Sequence, residues 1–164
     1  MIDFKSQEQV TIIKFMLKIL QLSAVLVATV SLGFHKTIAV EPTAKLTIVV
    51  DKLSNQKGEV CMRIYAKEQG FPQSAAGAVQ SGCTKITRRS AIKEFSGLKS
   101  GTYAVALFHD ENSDGKLNTN FLGIPREGFG ISNNPPVKLG APKFKKASFS
   151  LKGNATIKIG MKYI

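Results

Sequence analysis

Between residues 110 and 120 the chain gathers oxygen ligands in an order that chemistry can use: Asp110-Glu111-Asn112-Ser113-Asp114-Gly115-Lys116-Leu117-Asn118-Thr119-Asn120. Asp110, Asn112 and Asp114 stand at alternate positions, Gly115 follows, and Asn118 falls where a ninth loop residue would. Calcium is a hard cation that takes six to eight oxygens from carboxylates, amides and backbone carbonyls, and this is the order in which a calcium loop offers them. Gly115 lets the chain turn sharply after the third ligand, so that the Lys116 carbonyl faces inward. The predicted metal set is therefore Asp110, Asn112, Asp114, Lys116 and Asn118, with calcium as the cofactor. The set lacks one strong ligand, because the twelfth position, where an EF-hand loop carries a bidentate Glu, is Phe121. Glu111, Asn120 and Glu127 are the candidates to fill it, and without them the affinity expected is only about 10⁻⁴–10⁻³ M. A second reading stands beside this one: an Asp/Asn/Gly loop after a strand satisfies its own backbone through Asx-turns and binds nothing.

The same residues admit a catalytic alternative, a hydrolase acting on a glycan or anionic substrate through His109, Asp110, Asp114 and Glu127. Paired-carboxylate chemistry needs two acids at a set separation, one of them held protonated by an apolar setting. Acids beside Asn and Gly in a hydrated loop serve more often as ligands or turn formers. Nucleophilic catalysis lacks its parts, since His109 is the only His beyond the N-terminal segment and no G-x-S-x-G elbow accompanies it. The reading preferred is non-catalytic, with no catalytic residues.

Strands must position this loop. From Thr102 to His109, the residues Tyr103, Val105, Leu107 and His109 alternate with Thr102, Ala104, Ala106 and Phe108, the period of a strand that runs into the loop. Similar alternation marks Lys45 to Asp51, Gly58 to Tyr65 and Thr84 to Phe95, the last broken near Arg89-Ser90. Lys146 to Leu151 and Ala155 to Met161 read as a hairpin about Gly153-Asn154. About seven short strands and no amphipathic helix predict an all-β, immunoglobulin/transthyretin-like antiparallel β-sandwich. The connection from Asp110 to about Lys143 is long for a loop, and long loops are usually functional or disordered. Phe121, Leu122, Ile124, Phe129 and Ile131 make it too apolar for disorder. Phe121 and Phe129 plug one end of the sandwich on one reading. On another, Phe121, Arg126, Glu127 and Phe129 form a ligand surface beside the metal loop.

The N-terminal segment is organised differently. Lys14 and Lys18 lead into an apolar run from Leu17 to Phe34, and Thr37-Ile38-Ala39 offers a small-x-small cleavage site. Residues 1–39 therefore read as a secretory signal peptide, with Met16 an alternative start and an uncleaved anchor the competing reading. Residues 40–164 are the β-sandwich domain, expected in the periplasm or secreted. Export makes Cys61 and Cys83, the only two cysteines, a predicted disulfide between outward strand faces. The chain carries a net charge of +12, and in residues 40–164 the 19 Lys and Arg outnumber the 9 Asp and Glu. Those cations are scattered without aromatic interleaving, which argues against a nucleic-acid partner and leaves an anionic surface or plain solubility.

The run Ala106 to Asn120, followed by Leu122-Gly123-Ile124-Pro125-Arg126-Glu127-Gly128-Phe129-Gly130 and Ser132-Asn133-Asn134, resembles the signature of the exported bacterial family DUF2141. Phe95-Ser96-Gly97-Leu98-Lys99-Ser100-Gly101-Thr102-Tyr103 is similar to the turn and strand of transthyretin-like and carboxypeptidase-regulatory-like β-sandwich domains. The resemblance implies a fold and an export route and carries no activity or catalytic residue with it. Together these readings predict an exported, non-catalytic module that binds an envelope carbohydrate or protein.

Overall fold

The computed structural model describes residues 13–18, 42–136 and 140–164. Two compact units divide the chain, Met1–Val40 and Glu41–Ile164. In the first, residues 13–18 are helical. The apolar run beyond Lys18 and the Thr37-Ile38-Ala39 cleavage site lie outside the described residues. Among the described residues no helix is long and apolar enough to cross a membrane.

The second unit is a two-layer β-sandwich. Its strands are β1 (Thr43–Asp51), β2 (Glu59–Tyr65), β3 (Gln80–Lys85), β4 (Ala91–Lys99), β5 (Gly101–Asp110), β6 (Phe129–Ile131), β7 (Phe149–Leu151) and β8 (Ala155–Gly160). One sheet has the order β4-β1-β8; the other runs β3-β2-β5-β6, with β7 also paired to β5. Alternation decides the packing. Leu46, Ile48 and Val50 of β1, Val60, Met62 and Ile64 of β2, and Val105 and Leu107 of β5 all point between the sheets and are buried there. Removing that apolar area from water is the main force holding the layers together. Every described residue of the core and both cysteines of the disulfide belong to this unit, so it has what a domain needs to fold alone.

Three strand readings need correction. The expected Lys146–Met161 hairpin does not form. Phe144–Ala147 is a helical turn, β7 pairs with Gly101–Tyr103 of β5, and β8 runs in the other sheet. The cause is that Leu151 and Ile159 both enter the same inter-sheet core from opposite layers, so the chain between them must cross rather than fold back. Asn154 fixes the crossing by accepting the Lys45 N–H at 2.8 Å, beside a break in the β1 register between Ala44 and Leu46. Second, the sheets are not wholly antiparallel: β8 is parallel to β1, with Leu46 opposite Ala155 and Asp51 opposite Gly160. Third, Phe129 and Ile131 belong to a short strand, β6, paired with Phe108 and Ala106.

The outer face of the larger sheet is also covered. Tyr65, Ala104, Ala106, Ile131 and Ala147 form a second buried cluster with Phe71, Ala78 and Phe144 against it. The loop after β2 supplies this cover, with Phe71 edge-on to both Tyr65 and Phe144. Tyr65 donates its hydroxyl to the carbonyls of Pro72 and Ser74, and burial raises its ionisation above the ordinary 10.0 against the opposing pull of Arg63. Cys61 and Cys83 sit directly opposite each other on β2 and β3 and are bridged, as expected. Cys61 faces away from the main core yet is buried, because this outer face is not left to solvent.

Candidate functional site: the loop after strand β5

Strand β5 is buried from Tyr103 to Asp110, so His109 and Asp110 arrive at the loop already inside the protein. His109 is fully buried, with Nε2 2.7 Å from the Lys57 carbonyl and Nδ1 2.8 Å from the Tyr163 hydroxyl. A carbonyl can only accept, so Nε2 carries the proton. Both ring nitrogens are therefore engaged in holding the β1–β2 loop and the C-terminal residues against the end of β5. Tyr163 in turn accepts the Ser54 N–H at 3.1 Å.

Asp110 has no exposed surface. Its Oδ1 accepts the Asp114 N–H at 3.0 Å and its Oδ2 accepts the Gly115 N–H at 2.8 Å, folding the loop back over its own first residue. Ser113 and Gly115 supply the left-handed backbone that this requires, at φ 58° and 75°. Glu127 is the other buried acid. Its Oε1 accepts the Glu111 N–H at 3.0 Å and its Oε2 accepts the Asn118 N–H at 2.8 Å, so one side chain ties together both ends of the turn. Asp114 is exposed; it accepts the Lys116 N–H and the Nδ2 groups of Asn112 and Asn118. The bonds from Asn118 first, then Asn112 and the Lys116 backbone, lower its ionisation below the ordinary 3.8.

The predicted metal residues are thus brought into one loop, where the side chains of Asp110, Asn112, Asp114 and Asn118 are hydrogen-bonded and the Lys116 N–H is bonded to Asp114. Asn112 and Asn118 turn their amide nitrogens toward Asp114. Residue 121 is Phe, and the acid that reaches the loop in its place is Glu127, through two backbone amides. Among the described residues, the one cluster of His, Cys, Asp and Glu with metal-like spacing is Glu59, Cys61 and Cys83, and there both sulfurs are consumed by the disulfide.

The predicted ligand surface divides. Phe121 is 93% exposed, so it plugs nothing, and Arg126 is exposed as well. Glu127 faces into the loop and Phe129 sits in β6, so neither shares an open face with Phe121. What accompanies Phe121 is Leu122 and Ile124, both exposed. Their turn is closed from within: Asn120 Oδ1 accepts the N–H groups of Leu122 and Ile124, the Gly123 N–H reaches the Asn120 carbonyl, and the Asn120 N–H reaches the Ile124 carbonyl.

Several supports of the site carry no local sequence signal. Gly58 adopts φ 65° and lies so close to the Asp110 carbonyl that an added Cβ would stand 1.9 Å from its oxygen. Asn55 donates to Glu111 at 3.1 Å. Ser132, buried, accepts the Val105 N–H and donates to the Ala147 carbonyl at 2.6 Å, while Asn134 bonds both Gly160 and Lys158 along the outer edge of β8. The run Ser132-Asn133-Asn134 is the trace of this in the sequence, since short polar side chains in a row after a strand are backbone-bonding residues.

A bacterial family described as an uncharacterized protein conserved in bacteria, DUF2141, matches residues 48–158, from within β1 to within β8. The chain belongs to the DUF2141 family. The matched span includes β5, the loop and Glu127. No curated protein and no solved structure matches the chain.

Proposed function

We propose that this DUF2141 protein is an exported, non-catalytic β-sandwich module that engages a component of the bacterial envelope through the loop after β5. The observation that carries this reading is the use made of the acids. Asp110 and Glu127 have all four carboxylate oxygens on backbone N–H groups of the loop. Acids so placed hold a shape. Both are committed to backbone N–H groups and His109 has both ring nitrogens engaged, so of the cluster His109, Asp110, Asp114 and Glu127 only Asp114 stands in solvent. The shape they hold presents Phe121, Leu122 and Ile124 to the outside. An ordered apolar tip on a stiff mount is a binding device, because little entropy remains to be lost when it docks. The hydrolase alternative through His109, Asp110, Asp114 and Glu127 needs a second group beside the exposed Asp114, and so would need His109, Asp110 or Glu127 to be released.

The test is sedimentation of the labelled Glu41–Ile164 unit with isolated bacterial envelope fragments. The wild-type unit is expected in the pellet, and Phe121→Ser with Leu122→Ser is expected in the supernatant with an unchanged melting temperature. Equal sedimentation of the two would remove the tip from the binding surface, and failure of both to sediment would remove the envelope as the target.

Calcium fits the same loop as a reinforcing ion. Asp110 is a buried carboxylate without a cationic partner among the described residues, and each of its oxygens retains a lone pair. Asp110, Asp114, the Lys116 carbonyl and, after rotation of their amides, Asn112 and Asn118 would supply the oxygens. Melting the same unit in chelator and then in millimolar calcium tests this. Calcium at about 100 times its dissociation constant adds roughly 2.7 kcal/mol, a rise of several degrees that Asp110→Ala should lose. An unshifted melt would reduce the loop to its own backbone bonding.

A further inference from the structure

We propose that the envelope component is the anionic lipid bilayer itself, and that the tip Phe121-Leu122-Gly123-Ile124 inserts into it; this rests on the binding-module reading above. Three observations point to lipid. The first is shape. Phe121 at 93% and Leu122 at 67% exposure stand out from the protein as a wedge, a convex shape suited to entering a bilayer and not to enclosing a small ligand. The second is backbone satisfaction. Backbone N–H groups that already have protein partners cost less to bring into a bilayer. Three of the four N–H groups of the tip, those of Leu122, Gly123 and Ile124, are bonded to Asn120.

The third observation is charge at the same end of the sandwich. Glu59 is paired with both Lys85 and Asp110, which aligns the start of β2 with the ends of β3 and β5. The loops at that end are tied to one another: Arg88 N–H to Gln56, Asn55 to Glu111, and His109 to the Lys57 carbonyl. They expose Lys52, Lys57, Arg88, Arg89, Lys116 and Arg126, none within ion-pair distance of a described carboxylate. The acids there answer only weakly. Asp110 and Glu127 are buried, Asp51 is paired with Lys158, Glu59 and Glu111 are half-buried, and only Asp114 is fully in solvent. An apolar wedge at a basic end of the sandwich is the combination that binds anionic lipid, with the charge drawing the protein in and the apolar residues holding it.

The experiment is flotation of the Glu41–Ile164 unit with vesicles of phosphatidylcholine plus phosphatidylglycerol, and with vesicles of phosphatidylcholine alone. Binding is expected to the anionic vesicles only and to weaken as salt rises. Phe121→Ser with Leu122→Ser, and separately Lys116→Glu with Arg126→Glu, should each weaken it by about ten-fold or more. All four positions are exposed, so the melting temperature serves as the check on folding. Lys99→Glu with Lys152→Glu, at the opposite end of the sandwich, should leave binding within about two-fold. Loss of binding by that opposite-end pair, or persistence of binding in the tip variant, would overturn insertion in favour of diffuse charge attraction. No binding to either vesicle, with tip-dependent sedimentation on envelope fragments intact, would overturn the lipid assignment and leave the module reading standing with a protein or glycan as its ligand.

Discussion

Removing the Glu127 carboxylate should open the loop without unfolding the sandwich around it. In the native protein its two oxygens accept the Glu111 and Asn118 N–H groups at 3.0 and 2.8 Å, from a side chain only 6% exposed. Hydrogen bonds to a charged partner contribute about 1.5–3 kcal/mol each, and both donors are part-buried, so water recovers some of the loss in a variant. Glu127→Ala should therefore cost about 3 kcal/mol and lower the melting temperature by about 10 °C in a domain of this size. Glu127→Gln keeps one acceptor but turns an NH₂ group toward the other N–H, so it should cost about 2 kcal/mol. Chemical denaturation gives these values. Amide hydrogen exchange gives the location: protection should be lost at Glu111 and Asn118 well beyond the loss seen for β1 and β2. If Glu127→Ala melts with the wild type and those two amides stay protected, the loop is held by something else and Glu127 is not the mount of the tip.

Other outcomes follow from the same contacts. Gly58→Ala should destabilise by about 3 kcal/mol or more, read by denaturation, because the new Cβ would overlap the Asp110 carbonyl in a backbone already at φ 65°. The double variant Cys61→Ser with Cys83→Ser should lose about 3 kcal/mol, the loop entropy of a bridge spanning 22 residues, and reducing agent should then have no further effect on the melt. Asp114 has its ionisation lowered in the folded protein, so the stability it contributes is present above the ordinary 3.8 and is lost as pH falls through its lower folded value. Asp114→Asn should flatten the acid limb of the stability profile, and an unchanged limb would show that its bonds to Asn118, Asn112 and Lys116 do not persist in solution.

Strand periodicity is a local property, and it was legible. Tyr103, Val105 and Leu107 on one face of β5 and Ala104 and Ala106 on the other are buried as the alternation requires, and the break near Arg89-Ser90 is a tight turn with Arg88 and Arg89 both at positive φ. The spacing of Asp110, Asn112, Asp114 and Gly115 likewise announced a folded-back loop, because short polar side chains bond backbone within a few residues of themselves. The pairing of Cys61 with Cys83 needed only their number and the outward registers of their strands.

Partner choice was not legible, since it depends on contacts between residues far apart in the chain. Nothing local distinguishes a β7–β8 hairpin from two strands in opposite sheets; the decision belongs to Leu151 and Ile159 meeting in one core and to Asn154 reaching the Lys45 N–H. Nor could the sequence say that Glu127 closes the loop from inside while Phe121 stands outside it, for both lie in one apolar-acidic stretch with no period to orient them. The residue types thus determined most of the strands, the bridge and the turn, because those obey rules of spacing. The tertiary structure decided which acids are spent, which His is sealed and which apolar side chains remain exposed, because burial is set by the whole fold.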